Sequence, residues 1–360
     1  WTYNKPLSMT GFGGGATSLS NAGGSSPYSG NIAVAHNSNP CISVYPWDSS
    51  GFGTKYSDPS TLLTGGGHGV DFSPNGSYIA VSHLSSPYIS VYPWSSSGFG
   101  TKYSDPSSSI PSYGLDVAFR PDGSALAVAH WSSPYITAYT WTSSGFGTKY
   151  SDPSTQPASD AYAVAFSSDG AYIAVAHSGS PHISVYPWNY FSGFGAKFSN
   201  PSTLPASTAL GVTFSPDGSY IAVGHQSFPY ISVYPWSSSG FGTMYSYPSP
   251  SGVGSDGYAL DFSPDGTALA IGSANSPYVA VYPWSSSGFG VKYSNPSTLP
   301  TGGAYGGCKF SPDGAALAVA HANSPYISVY EWSSSGFGAK YSDPSTLPAF
   351  DGYAIAFSPA

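Results

Sequence analysis

Charge is scarce in this chain. Asp, Glu, Lys and Arg make up 7 % of its 360 residues, against roughly 25 % in a typical soluble domain. Only nine residues are Lys or Arg and the net charge is −8. The basic footprint that neutralises phosphates is missing, so nucleic acid is not an expected partner. Arg120 is the only arginine and Glu331 the only glutamate. The two cysteines, Cys41 and Cys308, cannot form a disulfide framework; they fall at different places in the repeat described below and read as free and buried. No apolar run approaches the ~20 residues needed to span a bilayer, so membrane insertion is not expected. The first residues carry no Met and no signal-peptide core and read as a processed start. No segment combines helical periodicity with caps.

What the chain does have is a repeat. Trp47, Trp94, Trp141, Trp188, Trp236, Trp284 and Trp332 each close a phrase like Tyr-Ile-Ser-Val-Tyr-Pro-Trp, at spacings of 47, 47, 47, 48, 48 and 48 residues. A fixed period of this size marks a solenoid, propeller or array. Each copy holds four β phrases. Phrase a reads like Ala161–Phe166, phrase b like Tyr78–His83 and phrase c like Tyr88–Trp94. Phrase d follows Ser-Ser-Ser-Gly-Phe-Gly and is expected over Thr101–Ser104. All four alternate or carry β-branched and aromatic residues, bounded by Gly and Pro. The a–b turn, typified by Ser215-Pro-Asp-Gly218, has Pro pre-set for the second position and Gly free to take positive φ.

A lone four-stranded sheet cannot bury both of its faces, and radial packing of several sheets solves the problem. The fold expected is all-β: a seven-bladed β-propeller with four antiparallel strands per blade. Phrase a supports it, because Val70, Val117, Val164 and their counterparts share a large face with Phe72, Phe119 and Phe166, whereas the opposite face is small (Gly69, Ala163, Gly211). The ends complement each other. The last copy holds a without b, and the first holds b, c and d with a degraded a. The ring is therefore expected to close by pairing C-terminal strand a (Gly352–Phe357) with the N-terminal blade at Asn31–His36, leaving no open edge. Residues 1–30 are expected to form a Gly-rich extension before a propeller of residues 31–360, with Trp1–Leu7 mimicking a strand d or packing on the outside.

The phrase Phe-Ser-Pro-Asp-Gly-x-Tyr-Ile-Ala-Val followed by Ile-Ser-Val-Tyr resembles WD40-like propeller repeats over residues 31–358. With its Ala-Val-Ala-His-x-x-Ser-Pro-Tyr-Ile and Pro-Ser-Thr-Leu-Pro continuations, it resembles repeats of bacteriophage virion and environmental proteins. The Trp-Asp dipeptide is replaced by Pro-Trp or Glu331-Trp332, and the Gly-His signature and buried Asp are missing, so the resemblance implies the fold and no signalling-scaffold role.

Most candidate chemical groups repeat with the fold. Six histidines (His36, His83, His130, His177, His225, His321) end phrase b, with Ser273 in the seventh copy. Equivalent atoms off the axis of a seven-fold ring lie too far apart to share a metal, so a repeated hydrogen bond is expected. Asp122, Asp169, Asp217, Asp265 and Asp313 are turn residues, and lysines such as Lys55 and Lys102 blunt the outer edge. Charges that break the repeat are more informative. Asp71, Asp261 and Lys309 replace a small residue just before the strand-a Phe, and Asp116 replaces a Gly or Ala two positions earlier in the phrase. Strand a is innermost, so these four are expected to line the axial channel, where a water or cation could bind or Asp261 and Lys309 could pair across blades.

Comparison of the copies also nominates a binding face. The residue after the strand-b His is the most variable: Leu84, Trp131 and Gln226 occupy it, on a rim shared with the d–a loops. Those loops bring His68, Tyr113, Tyr162, Tyr258, Tyr305 and Tyr353, and Phe228 stands nearby. Variable tips and aromatics on a rigid face suit a ligand or partner. Enzymatic alternatives fare poorly by inventory. Sialidase-like sites need several arginines, lactonase-like sites need clustered acidic metal ligands, and no Gly-x-Ser-x-Gly, His-Glu-x-x-His or phosphate loop occurs. The expectation is a non-enzymatic structural or interaction module on a virion or extracellular assembly, or alternatively a glycan-binding adhesin or receptor-binding propeller. Its expected partner is a protein or glycan, as part of a larger assembly, with no metal and no cofactor.

Overall fold

The computed structural model describes residues 28–248 and 252–359. The expectation for Trp1–Leu7 lies outside them, as does most of the proposed extension. The chain forms a seven-bladed β-propeller. Seven four-stranded antiparallel sheets, each ordered a-b-c-d, follow one another around a ring in which every strand a touches the strand a of the next blade. Blade 1 is made of both chain ends: strand a is Gly352–Phe357, strand b Gly30–His36, strand c Ile42–Asp48 and strand d Gly51–Phe52. Ile32 pairs with Phe357, Val34 with Ile355 and His36 with Gly352. The expected closure is therefore present. Tyr28 reinforces it: its hydroxyl donates to the Ser358 carbonyl at 2.7 Å, and Asn31 N–H donates to Ser358 Oγ at 2.9 Å.

The repeated tryptophan joins the blades. Trp94 of blade 2 meets Phe99 of its own strand d, Phe72 of its own strand a and Tyr56 of the preceding blade, all edge-on, the geometry that the aromatic quadrupole favours. Trp47 meets Tyr341 of blade 7 at 4.9 Å in the same way, so the closing joint is built like the internal ones. The strand-c tyrosines are fully buried. Tyr92 and Tyr186 each donate at 2.7 Å to a carbonyl of the preceding d–a loop, those of Thr61 and Thr155. A buried phenol usually finds such a partner.

Strand d differs from expectation. In blade 2 it is Gly98–Phe99, not Thr101–Ser104. The reason is in strand c. Where Pro46, Pro93, Pro187, Pro235 or Pro283 sits before the tryptophan, strand d is two residues long; where Thr140 or Glu331 stands instead, it runs five residues, Gly145–Lys149 and Gly336–Lys340. Proline has no N–H to give the ladder, so in blade 2 the pairing stops after two register positions, Trp94 with Phe99 and Ser95 with Gly98. The a–b turn follows the sequence reading: Gly218 takes φ +71° and donates to the Ser215 carbonyl at 2.9 Å. The b–c hairpins hold cis peptide bonds before Pro40, Pro87, Pro134, Pro181, Pro229, Pro277 and Pro325, which nothing in the sequence reading anticipated.

Candidate functional site in the axial cavity

The histidine series is structural. Each of the six Nε2 atoms lies 3.0 Å from the hydroxyl of a strand-c Ser or Thr seven residues on, as in His177–Ser184 and His130–Thr137. Where His becomes Ser273, its counterpart serine becomes Ala280, so the pair is lost together. Burial holds these imidazoles well below their usual range, His177 down to about 4, and they stay neutral at pH 7. Both cysteines are free and buried.

Strand a is the inner edge of every blade, and the seven copies enclose a cavity of about 840 Å³, within the range of small-molecule sites. Alternate positions of strand a project into it. The position before the strand-a Phe carries Asp71, Ala118, Ala165, Thr213, Asp261, Lys309 and Ala356 around the ring. Asp116, Asp71, Asp261 and Lys309 all line the cavity. Thr213 joins them and was passed over, although it breaks the same run of alanines.

An inner edge strand presents backbone N–H groups with no strand beyond to receive them. The carboxylates meet some of these. Asp71 Oδ2 accepts from Phe119 N–H at 2.8 Å, Asp116 Oδ2 from Val164 N–H at 2.9 Å and Asp261 Oδ2 from Phe310 N–H at 2.8 Å, each on the next blade. Asp116 Oδ1 also accepts from Val117 N–H. Lys309 Nζ donates to Asp261 Oδ1 at 3.1 Å, so the ion pair across adjacent blades is present. Among the described residues no hydrogen bond engages Asp71 Oδ1. Burial pushes Asp71 up to about 7, opposed by the Phe119 hydrogen bond and by Lys309 and assisted by Asp116. Burial likewise pushes Asp116 up to about 6 and raises Asp261. Asp261 holds the Lys309 ammonium firmly protonated. Among the described residues no three His, Cys, Asp or Glu side chains converge as a metal-ligand set.

One mouth of the cavity is aromatic. The His68 ring stacks on Tyr353 with centroids 4.4 Å apart, and Tyr258 meets Tyr305 edge-on at 5.3 Å. Tyr162, Trp131 and Gln226 complete this rim. Burial holds His68 down to about 4, so it is neutral at pH 7. The remaining nominated residues lie outside the cavity lining. Tyr113 is exposed and touches Trp131 edge-on, Phe228 is exposed against Tyr247 and Tyr230, and Leu84 is half-buried.

No family model and no curated protein matches the chain. Solved structures do. A provisionally assigned 6-phosphogluconolactonase of Bacteroides fragilis superposes with a TM-score of 0.71 at 14 % identity, over 95 % of this chain and 99 % of that one. A second such protein, from Bacteroides uniformis, gives 0.70 at 15 %, over 91 % and 99 %. The periplasmic gluconolactonase of Pseudomonas aeruginosa gives 0.68 at 18 %, over 92 % and 99 %. At these identities the likeness establishes the fold. The names nonetheless correct the expectation of a non-enzymatic structural or interaction module, and with it the adhesin alternative, because structures matching over nearly their whole length are named as lactonases. The inventory counted arginines, glutamates and clustered metal ligands. The axial carboxyls are all aspartates, contributed by three separate blades.

Proposed function

We propose that the chain is a hydrolase that opens a lactone, the cyclic ester of a hydroxy acid, inside the axial cavity. One observation carries the reading: Asp71, a carboxyl group titrating near neutrality, and Lys309, a fixed cation, line the same 840 Å³ space. A general base is most effective when its pKa lies near the working pH, and a positive group facing a developing oxyanion lowers the barrier to acyl transfer. In this reading Asp71 accepts a proton from a water whose oxygen attacks the lactone carbonyl carbon. Lys309 faces the carbonyl oxygen as it gains charge. The bond from that carbon to the ring oxygen then breaks, and Asp71 returns the proton to the departing oxygen. The product is an open-chain hydroxy acid, which releases one proton to solution. Asp261 holds Lys309 in place and Asp116 fixes the adjacent blades. The names of the structural neighbours support the same chemistry.

The finer likeness of the repeat to WD40-like propellers rests on the repeat phrase alone and carries no activity. An extracellular setting is the location we favour, on the Lys-poor, Ser- and Tyr-rich composition.

The test is proton release in a pH-stat with glucono-δ-lactone, corrected for uncatalysed opening. The expected result is a rate proportional to enzyme and lost in Asp71→Asn. A panel of five- and six-membered lactones opened no faster than in buffer would overturn the proposal.

A further inference from the structure

Among the described residues, the cavity holds a single permanent cation. Lys309 is the only Lys or Arg that lines it, and its ammonium is already committed to Asp261. Arg120 points elsewhere: its guanidinium donates to Asp122, to Ser124 Oγ and to the Gly170 carbonyl. On the outer edge of the blades, Lys55, Lys102, Lys149 and Lys340 pair with the Asp three residues on. Three carboxyl groups face the one ammonium within the cavity, and His68 brings no charge at pH 7. No described strand or loop at the rim supplies a cluster of N–H-bearing cations for an anion. What the rim does supply is the stacked His68–Tyr353 pair, Tyr258 against Tyr305, and the Gln226 amide. Flat ring faces receive the C–H side of a sugar ring, and amide and phenol groups receive its hydroxyls.

We infer that the site takes an uncharged polyhydroxylated ring and rejects the same ring bearing a phosphate. The inference rests on the lactonase reading for the reaction but not for the binding preference. A phosphate monoester carries about −1.5 to −2 charges at pH 7. Set beside three carboxyl groups whose one neighbouring ammonium is already shared with Asp261, such a group is repelled, and like-charge juxtaposition is a strong specificity device. Two of the three neighbours cited above are named for the phosphorylated lactone, so the inference sets the ligand of this chain apart from the one in their names.

Two measurements test it. The first is calorimetric titration with glucose and with glucose 6-phosphate at pH 7 and low salt, which needs no turnover. The second is the kcat/KM ratio for glucono-δ-lactone against its 6-phosphate. Glucose is expected to bind at least about tenfold more tightly than its phosphate, and kcat/KM to favour the neutral lactone by a similar factor, with both ratios shrinking as salt screens the repulsion. Ala165→Lys, which places a second cation on the cavity wall, is expected to raise the affinity for glucose 6-phosphate and leave glucose less affected. Equal or tighter binding of the phosphate, or no binding of either sugar, overturns the inference. Opening of both lactones at equal efficiency overturns it while leaving the hydrolase reading intact. Preferential glucose binding without any lactone opening does the reverse.

Discussion

Asp71→Asn separates the electrostatic cost of the cavity from its chemistry. The substitution keeps the size of the side chain and an oxygen that accepts from Phe119 N–H. It removes the ability to ionise. In the wild type, burial raises the folded-state pKa to about 7, above the unfolded value near 3.9. Between these values the folded protein binds more protons than the unfolded chain, so stability falls as pH rises through that window. The contribution is fully present below about pH 4 and is lost above about pH 7. Each tenfold change in the proton equilibrium is worth about 1.4 kcal/mol. Discounted for the water that reaches the cavity, ionised Asp71 therefore costs about 2–4 kcal/mol at pH 8. Asp116, raised to about 6, acts with the same sign over a shorter span. Asp71→Asn is expected to match the wild type at pH 4.5 and to exceed it by about 2 kcal/mol at pH 8, as urea midpoints at the two pH values would read. Lactone opening is expected to fall by about 10²–10⁴, the usual worth of a positioned general base. A variant less stable than wild type at pH 8 refutes the electrostatics. A variant that gains stability and keeps full activity refutes the assignment of Asp71 as base.

Three further outcomes follow from the same geometry. Ile355→Ala, in the closing strand and 3 % exposed against Ile32, Val34 and Val329, is expected to cost about 2–5 kcal/mol; a loss under about 1 kcal/mol by denaturant titration would mean that the joint is loose. Glu331→Pro is expected to shorten strand d of blade 7 from five residues to the two seen in the Pro-bearing blades, read from a crystal structure of the variant; an unchanged five-residue strand would remove the proline explanation. Trp131→Ala, on the rim and 41 % exposed, is expected to shift stability by less than about 0.5 kcal/mol while raising KM for the lactone, and a large fall in melting temperature with unchanged KM would make it a packing residue.

The fold was legible because each of its devices repeats. The tryptophan period gave the blade count, and the complementary phrases at the two ends gave the closure between Gly352–Phe357 and the first blade. The length of strand d was not legible because it depends on pairing with another strand: Pro93 lies in strand c, yet it shortens strand d. In the cavity, substitutions at Asp71, Asp116, Asp261 and Lys309 marked the axis. Thr213 carried the same signal in weaker form, since one hydroxyl among alanines attracts less notice than a charge. The proposed site could not be read from known constellations within one stretch of chain. A site assembled from blades 2, 3, 6 and 7 has no local motif.

The internal copies also distinguish two kinds of departure from a repeat. At Ser273 the missing histidine is matched by Ala280 in place of its partner serine, which removes a buried hydrogen bond whole and leaves no orphan, as packing requires. That is a structural substitution. Asp71, Asp261 and Lys309 are of another kind. Ala118, Ala165 and Ala356 hold the same position in other blades, so the fold needs nothing larger there. A half-buried carboxylate at such a position is expected to oppose stability near neutral pH, since burial raises Asp71 to about 7. The nearby cation only partly offsets that cost, since Lys309 is bonded to Asp261. Groups that the architecture does not require, that oppose stability, and that gather from separate blades onto one cavity are what the proposed role in acting on a ligand there would call for.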